Sequence, residues 1–362
     1  MTAAEPVLAI DDLSVVYRSK AGDVRAVDGV SLDLHPGEIV GLAGESGSGK
    51  STLAYGACRL LRAPAVIDGG RVLYYGRSTN EPLDILQQDT AGLRRLRWSG
   101  ISIVFQSAMN ALNPVLSIRD QLLDVIDAHL DLNRKEKLDK VKSLLDLVNI
   151  PQSRLGSYPH ELSGGMRQRV MIAMAVATDP EVVIMDEPTT ALDVVVQRDI
   201  LGQIAELQQR LGFAILFITH DLSLLLELAD RIAVMYAGRI LEFGSAEDIH
   251  RSPAHPYTKG LLSSFPPLHG ERRDLSGIPG SPPDLHHPPA GCPFLPRCGY
   301  GTDACRSVDM QLLPVQPTVV SQHVTACPFV GPDTPPADRA VGDDRTGQPG
   351  NPVPPRVAGR SR

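Results

Sequence analysis

Residues 37–61 read GEIVGLAGESGSGKSTLAYGACRLL. An apolar run of strand type enters a turn made of small residues, and a helix-forming stretch leaves it. Gly44, Gly49, Lys50 and Ser51 fill the pattern G-x-x-x-x-G-K-[ST]. In such a turn the small residues, Ser46, Gly47 and Ser48 among them, let successive backbone N–H groups point inward at phosphate oxygens. The start of the following helix, with Thr52 in its first turn, adds its dipole. Lys50 reaches the terminal phosphates and the Ser51 hydroxyl can ligate Mg²⁺.

Working outward, a second acidic element completes this site. VVIMDE at 182–187 is a buried-type strand ending in two carboxylates. Beside a phosphate loop, Asp186 is expected to hold Mg²⁺ through water and Glu187 to polarise an attacking water. Further apolar runs at 38–42, 101–105 and 215–218 alternate with helical stretches, which predicts an α/β fold with a largely parallel sheet. The stretches LSIRDQLLDVIDAHL (116–130) and KLDKVKSLLDLVNI (137–150) repeat apolar residues at three- and four-residue steps, the pattern of a helical insertion.

Composition bounds the partners. The chain has 362 residues and a formal net charge of −7, which argues against nucleic acid as an electrostatically selected partner. No apolar run reaches the length of a membrane span, and the N-terminus lacks the basic start and apolar core of an export signal. A reducing compartment is therefore expected for the five cysteines. About two-thirds of the 30 prolines follow residue 250, so long helices and central strands are not expected there. Residues 331–362 hold few large apolar side chains and are expected to form a disordered tail.

LSGGMRQR at 162–169 precedes the Asp186 strand. With it the chain resembles the ATP-binding subunits of ABC transporters over roughly residues 7–330. The resemblance implies a P-loop ATPase core, with a RecA-like parallel sheet and an antiparallel β subdomain, in residues 1–250. It also implies a helical signature subdomain at about 107–165 and a Pro-rich, cysteine-containing C-terminal extension at 251–330. On the same grounds Gln106 fits the Q-loop, which touches Mg²⁺ and couples to the membrane subunits. Ala191–Asp193 fit the D-loop, His220 the switch histidine that senses the γ-phosphate, and Tyr17 the aromatic that stacks on adenine. Ser163, Gly164 and Gly165 are implied to bind the γ-phosphate of a partner's nucleotide, so each ATP site is shared between two chains. The fifth signature position is Met166 where the family usually has Gln. The phosphate-facing groups are the Ser163 hydroxyl and the two glycine amides, so the departure does not remove them.

SAMNALNPVLSI at 107–118 and HPYTKGLLSS at 255–264 resemble segments of the dipeptide, oligopeptide and nickel importer branch. Beyond them lie Cys292, Cys298, Cys305 and Cys327, spaced C-x5-C-x6-C-x21-C. This spacing lacks the paired knuckles of structural zinc sites and misses the common ferredoxin pattern. The segment is too poor in apolar residues for a large core, so a metal group is expected to supply cohesion. Resemblance to mycobacterial-type peptide importers implies a four-iron four-sulfur (4Fe-4S) cluster on the four thiolates; tetrahedral Zn²⁺ and reduced thiols or disulfides stay open as alternatives. Cys58 is expected to be a small core residue.

The resemblance thus implies an ATP-hydrolysing subunit that powers uptake of dipeptides or oligopeptides. Its implied partners are a second ATPase subunit, identical or paralogous, two membrane permeases and an extracellular solute-binding protein. The implied location is peripheral, on the cytoplasmic face of the plasma membrane. Nickel or another small solute is one alternative, a transporter-independent soluble ABC ATPase a second, and a redox- or metal-sensing module a third.

Overall fold

The computed structural model describes residues 5–20, 22–77, 81–105, 111–190, 192–264, 277–315 and 322–328. Gln106 and Ala191, residues 107–110 of the importer-like loop and the 331–362 tail lie outside the described residues.

Two sheets organise the described residues. An antiparallel sheet runs in the order β2-β1-β4-β5, with β1 Leu8–Tyr17, β2 Val24–Leu34, β4 Ala65–Tyr74 and β5 Leu83–Asp84. The larger sheet has eight strands in the order β11-β12-β10-β9-β3-β8-β7-β6. Its parallel part comprises β3 Ile39–Ala43, β6 Ile101–Val104, β7 Val182–Asp186, β8 Ala214–Ile218 and β9 Arg231–Tyr236. The strand expectations at 38–42, 101–105, 182–185 and 215–218 thus each fall on a parallel strand.

These strands are apolar on both faces because both faces are covered, as a parallel sheet requires. Val40, Leu42, Val182, Ile184, Leu216 and Ile218 face one core, shared with the antiparallel sheet and helix α1 (Lys50–Ala57). Ile39, Val183, Met185, Ile215 and Phe217 face the other, shared with the remaining long helices. The alternation by two follows from strand geometry.

The helical insertion contains α3 (Ile118–His129) and α4 (Arg134–Leu147), with α2 (Thr90–Leu96) before it and α5 (Gly164–Ala175) after it. Their boundaries have local causes. Ser117 caps α3, and Asn133 with Glu136 forms a reciprocal capping box on α4. α6 (Val194–Leu211) ends at Gly212, whose φ of 73° suits a residue without Cβ. α7 (Leu222–Leu228) follows β8.

Among the described residues the extension holds only short elements, as its prolines lead one to expect. Antiparallel β10 (Arg239–Ser245) accepts β12 (Val324–Thr325) along its edge, and β11 (Leu313–Pro314) pairs outside that. Pro314 is tolerated because it stands on an edge strand. After α8 (Ala246–Arg251), α9 (Pro256–Ser263) starts with Pro at its first position under a His255 cap. Cys292, Phe294, Cys305 and Ala326 then join the same buried cluster as the helices α3 to α7. The segment gains its cohesion by docking onto the main core rather than by building one of its own.

Candidate functional site

The phosphate loop lies between β3 and α1. Gly44 and Gly49 have φ of 151° and 106°, and a Cβ on either would stand 2.2 Å from a carbonyl oxygen, of Met235 and Ala26 respectively. Glycine is therefore required at both. Gly49 caps α1 without a side-chain hydrogen bond, so the first amides of the helix are left for an anion. The Lys50 ammonium donates to the carbonyls of Gly44 and Glu45 at 2.8 and 2.9 Å. Burial pulls its pKa below the usual lysine range, against the pull of Glu187, Asp186 and Glu45.

The acidic strand end sits beside this loop. Ser51 donates to Asp186 Oδ1 at 3.0 Å, and Tyr55 donates to Oδ2 at 2.8 Å. Asp186 is fully buried. Burial pushes its carboxyl above the usual range, opposed by the bonds from Tyr55 and Ser51. Ser51 and Asp186 form a set of hard oxygens next to a phosphate loop, which fits Mg²⁺.

Glu187 adopts φ 47°, unusual for a residue with a side chain. Its amide donates to the Ile218 carbonyl at 2.9 Å, holding the turn open at the end of β7. One carboxylate oxygen stands 3.1 Å from His220 Nδ1 and the other accepts from Thr190 Oγ1 at 3.0 Å. Burial acts to raise this carboxyl, but the bonds from His220 and Thr190 outweigh it and hold the pKa below the usual range. Glu187 stays ionised, as a base must. His220 leaves about half its side chain in solvent.

Tyr17 closes β1 and shares a hydrogen bond with Thr52 Oγ1 at 3.2 Å, which places the ring beside the start of α1. Ser163 is exposed and caps α5, accepting from the Met166 amide at 3.3 Å, with Gly164 and Gly165 in the first turn. Asp193 caps α6. Val194 and Val195, directly after it, are 69% and 78% exposed. The structure thus gathers Lys50, Ser51, Asp186, Glu187 and His220 around one loop. Sequence reading passed over two members, Tyr55 and Thr190. Each had a signal in its spacing: Tyr55 stands one helical turn after Ser51, and Thr190 three residues after Glu187.

The four extension thiols only partly meet expectation. The Cys292 thiol lies within electrostatic reach of Cys298, Cys305 and Cys327, and burial pushes it up to about 11. Among the described residues, however, no three His, Cys, Asp or Glu side chains converge to hold a metal ion. The loop is held here by its own backbone, with the Cys292 amide donating to the Cys305 carbonyl at 2.9 Å, and by its apolar packing. His323, near these thiols in sequence, instead meets buried Glu242 at 2.7 Å. Buried Cys58 belongs to the core.

Comparison with known proteins agrees with this architecture. Residues 27–190 match the ABC transporter family, and residues 241–305 match the family described as oligopeptide/dipeptide transporter, C-terminal region. The chain is 43% identical over 306 residues to the oligopeptide transport ATP-binding protein OppD of Escherichia coli, covering 84% of this chain and 89% of that one. It is 43% identical over 307 residues to the dipeptide transport ATP-binding protein DppD of Bacillus subtilis, covering 84% and 90%. Among solved structures, a dimeric ATP-binding cassette bound to ADP and phosphate in a post-hydrolysis state superposes with a TM-score of 0.57 and 25% identity. That match covers 66% of this chain and 98% of the other.

Proposed function

Because the chain belongs to the ABC transporter family of ATP-binding subunits, in its oligopeptide/dipeptide branch, we propose that it hydrolyses ATP to power peptide uptake through a separate permease. The observation that carries the reading is the linked set Ser51–Asp186 and Glu187–His220 around the Lys50 loop.

The residues divide the work. Gly44, Ser46, Gly47, Ser48 and Gly49 shape the loop, Lys50 exchanges its carbonyl partners for phosphate oxygens, and the first amides of α1 receive the β-phosphate. Tyr17 stacks on the adenine and Thr52 lines the loop's exit. Ser51, Asp186 and Gln106 hold Mg²⁺, which when bound neutralises phosphate charge. Glu187 accepts the proton of the attacking water while His220 and Thr190 fix the carboxylate's orientation. Ser163, Gly164 and Gly165 present a second helix N-terminus from the surface and Asp193 caps the neighbouring helix, which suits a nucleotide held by a facing subunit. That subunit is a second copy or a paralogue.

No helix among the described residues is long and apolar enough to cross a membrane. The proposed association is peripheral, through two permease subunits on the cytoplasmic face, with the extracellular solute-binding protein reached through the permease; it is supported by relatives named as transport ATP-binding proteins. Dipeptides and oligopeptides are the cargo class, in keeping with the names of the relatives. Replacing Glu187 by Gln tests the catalytic reading: turnover should fall at least about 100-fold while ATP binding is retained. Turnover unaffected by Glu187→Gln would overturn it.

Cys292, Cys298, Cys305 and Cys327 are proposed to hold a 4Fe-4S cluster, supported by the spacing of the four thiols in the extension and by the electrostatic reach of Cys292 to the other three; the loop would have to draw them closer together to bind it. A bound cluster would stabilise that loop and lend it redox sensitivity. Anaerobic purification with iron, sulfide and zinc analysis should give iron and sulfide in cluster stoichiometry. Zinc alone, or folded metal-free protein, would end this proposal.

A further inference from the structure

Glu45, the second residue of the phosphate loop, is held at each of its polar groups. Its carbonyl accepts from Lys50 Nζ at 2.9 Å and from the Ser48 amide at 3.2 Å, both within the loop. Its other two attachments come from the C-terminal extension. The Glu45 amide donates to the Tyr257 hydroxyl at 2.8 Å, and Tyr257 is the tyrosine of the His-Pro-Tyr segment. The Glu45 carboxylate accepts both terminal nitrogens of Arg297, at 2.7 and 3.0 Å.

Arg297 is itself tightly placed. Only 5% of its side chain is exposed, its Nε donates to the Pro279 carbonyl at 2.8 Å, and its guanidinium lies near the rings of Tyr236 and Phe294. Those two rings and Tyr257 pack together, with centroids 4.6 to 5.5 Å apart. One comes from β9 of the ATPase sheet, one from α9 and one from the cysteine loop. A bidentate arginine–carboxylate pair held by such packing has one geometry. A loop anchored this way loses less freedom when phosphate arrives, so nucleotide binds more tightly.

We propose that Arg297 is a positioning residue for nucleotide binding: from the cysteine-bearing extension it fixes the phosphate loop through Glu45, with Tyr257 as the second anchor. Neither residue touches phosphate in this scheme. The extension is thereby a working part of the ATP site, and a disturbance of the loop between Cys292 and Cys298 reaches the phosphates through one ion pair. The inference rests on the reading of residues 44–51 as an ATP site.

Equilibrium binding of a fluorescent ATP analogue with Mg²⁺ to the full-length chain tests it, with thermal unfolding recorded for every variant. Arg297→Ala should weaken binding about tenfold, and Arg297→Lys should weaken it less, because one point charge replaces the bidentate fork. Glu45→Gln, placed on the core side, should reproduce the loss even where Arg297→Ala fails to fold. The double variant Glu45→Gln/Arg297→Ala should be no worse than the more affected single one, since both remove one contact. In the assembled transporter the effect should fall on KM, with kcat changed less than about twofold. Folded Arg297→Ala and Glu45→Gln chains with wild-type affinity, or losses that add in the double variant, would overturn the proposal. Lys50→Ala is the control: if it leaves binding intact, the ATP-site reading itself fails rather than the role of Arg297.

Discussion

Tyr55 donates its hydroxyl to Asp186 Oδ2 at 2.8 Å, from the helix turn that follows Ser51. The fully buried carboxylate is thereby gripped by two hydroxyls on one face of α1. Tyr55→Phe leaves one carboxylate oxygen buried without that donor, which should cost about 1–3 kcal/mol of stability. The carboxylate should also orient Mg²⁺ less well. Thermal unfolding and the Mg²⁺ concentration for half-maximal ATP turnover check this, and an unchanged Mg²⁺ requirement would contradict the shared grip.

The glycines of the phosphate loop should not be equivalent. At Gly44 a Cβ would meet the Met235 carbonyl at 2.2 Å, whereas at Gly47, with φ 80°, it would meet nothing within 4 Å. Gly44→Ala should therefore abolish nucleotide binding, because backbone must move. Gly47→Ala should cost only the left-handed strain of about 1–2 kcal/mol and keep measurable affinity. Equal losses in a binding titration would show that strain, not contact, governs the loop.

His255 makes the extension sensitive to acid. Its Nδ1 accepts from the Tyr257 amide at 3.0 Å, and burial pulls its pKa from 6.5 down to about 4, against the opposing charge of Glu242. Above pH 6.5 the ring is neutral in folded and unfolded chains alike, so it carries no penalty. As pH falls from 6.5 toward 4, the unfolded chain takes up a proton that the folded one refuses, and stability drops by an amount on the order of 3 kcal/mol. His255→Asn keeps a capping acceptor but does not titrate. The variant should flatten the dependence of melting temperature on pH in that window; an unaltered slope would assign the effect elsewhere.

Exposed Ser163 should matter to a neighbour's nucleotide rather than to its own. Ser163→Asp places a carboxylate at the helix N-terminus that would receive phosphate, so turnover in the assembled dimer should fall at least about tenfold by charge repulsion. Nucleotide binding to the isolated chain should stay within about twofold. A loss of binding in the solitary chain would place the signature helix on its own ATP.

Much of this was legible in the linear chain. Residues 44–51 and 182–187 carry their chemistry in residue type and spacing, because a strand, a tight turn and a helix are built from near neighbours. The apolar periods of 116–130 and 137–150 fall on α3 and α4 for the same reason. Tyr55 and Thr190 were missed although they lie close to known members, since a hydroxyl reveals its partner only once the backbone has set its direction. The docking of the extension onto the main core was not legible, for a different cause. Its few apolar residues look insufficient when counted alone, but Phe294, Cys305 and Ala326 bury themselves against a core made mostly by residues a hundred or more positions earlier.

From its sequence alone the chain declared a phosphate loop, an acidic strand end, an importer-type extension and the α/β order that joins them. The tertiary structure decided that Arg297 and Tyr257 hold Glu45, across 252 and 212 residues of chain. It also decided that β12 completes the edge at β10. The physical reason is range: local pattern determines which helices and strands form, while long-range pairs depend on which faces the packed core leaves adjacent.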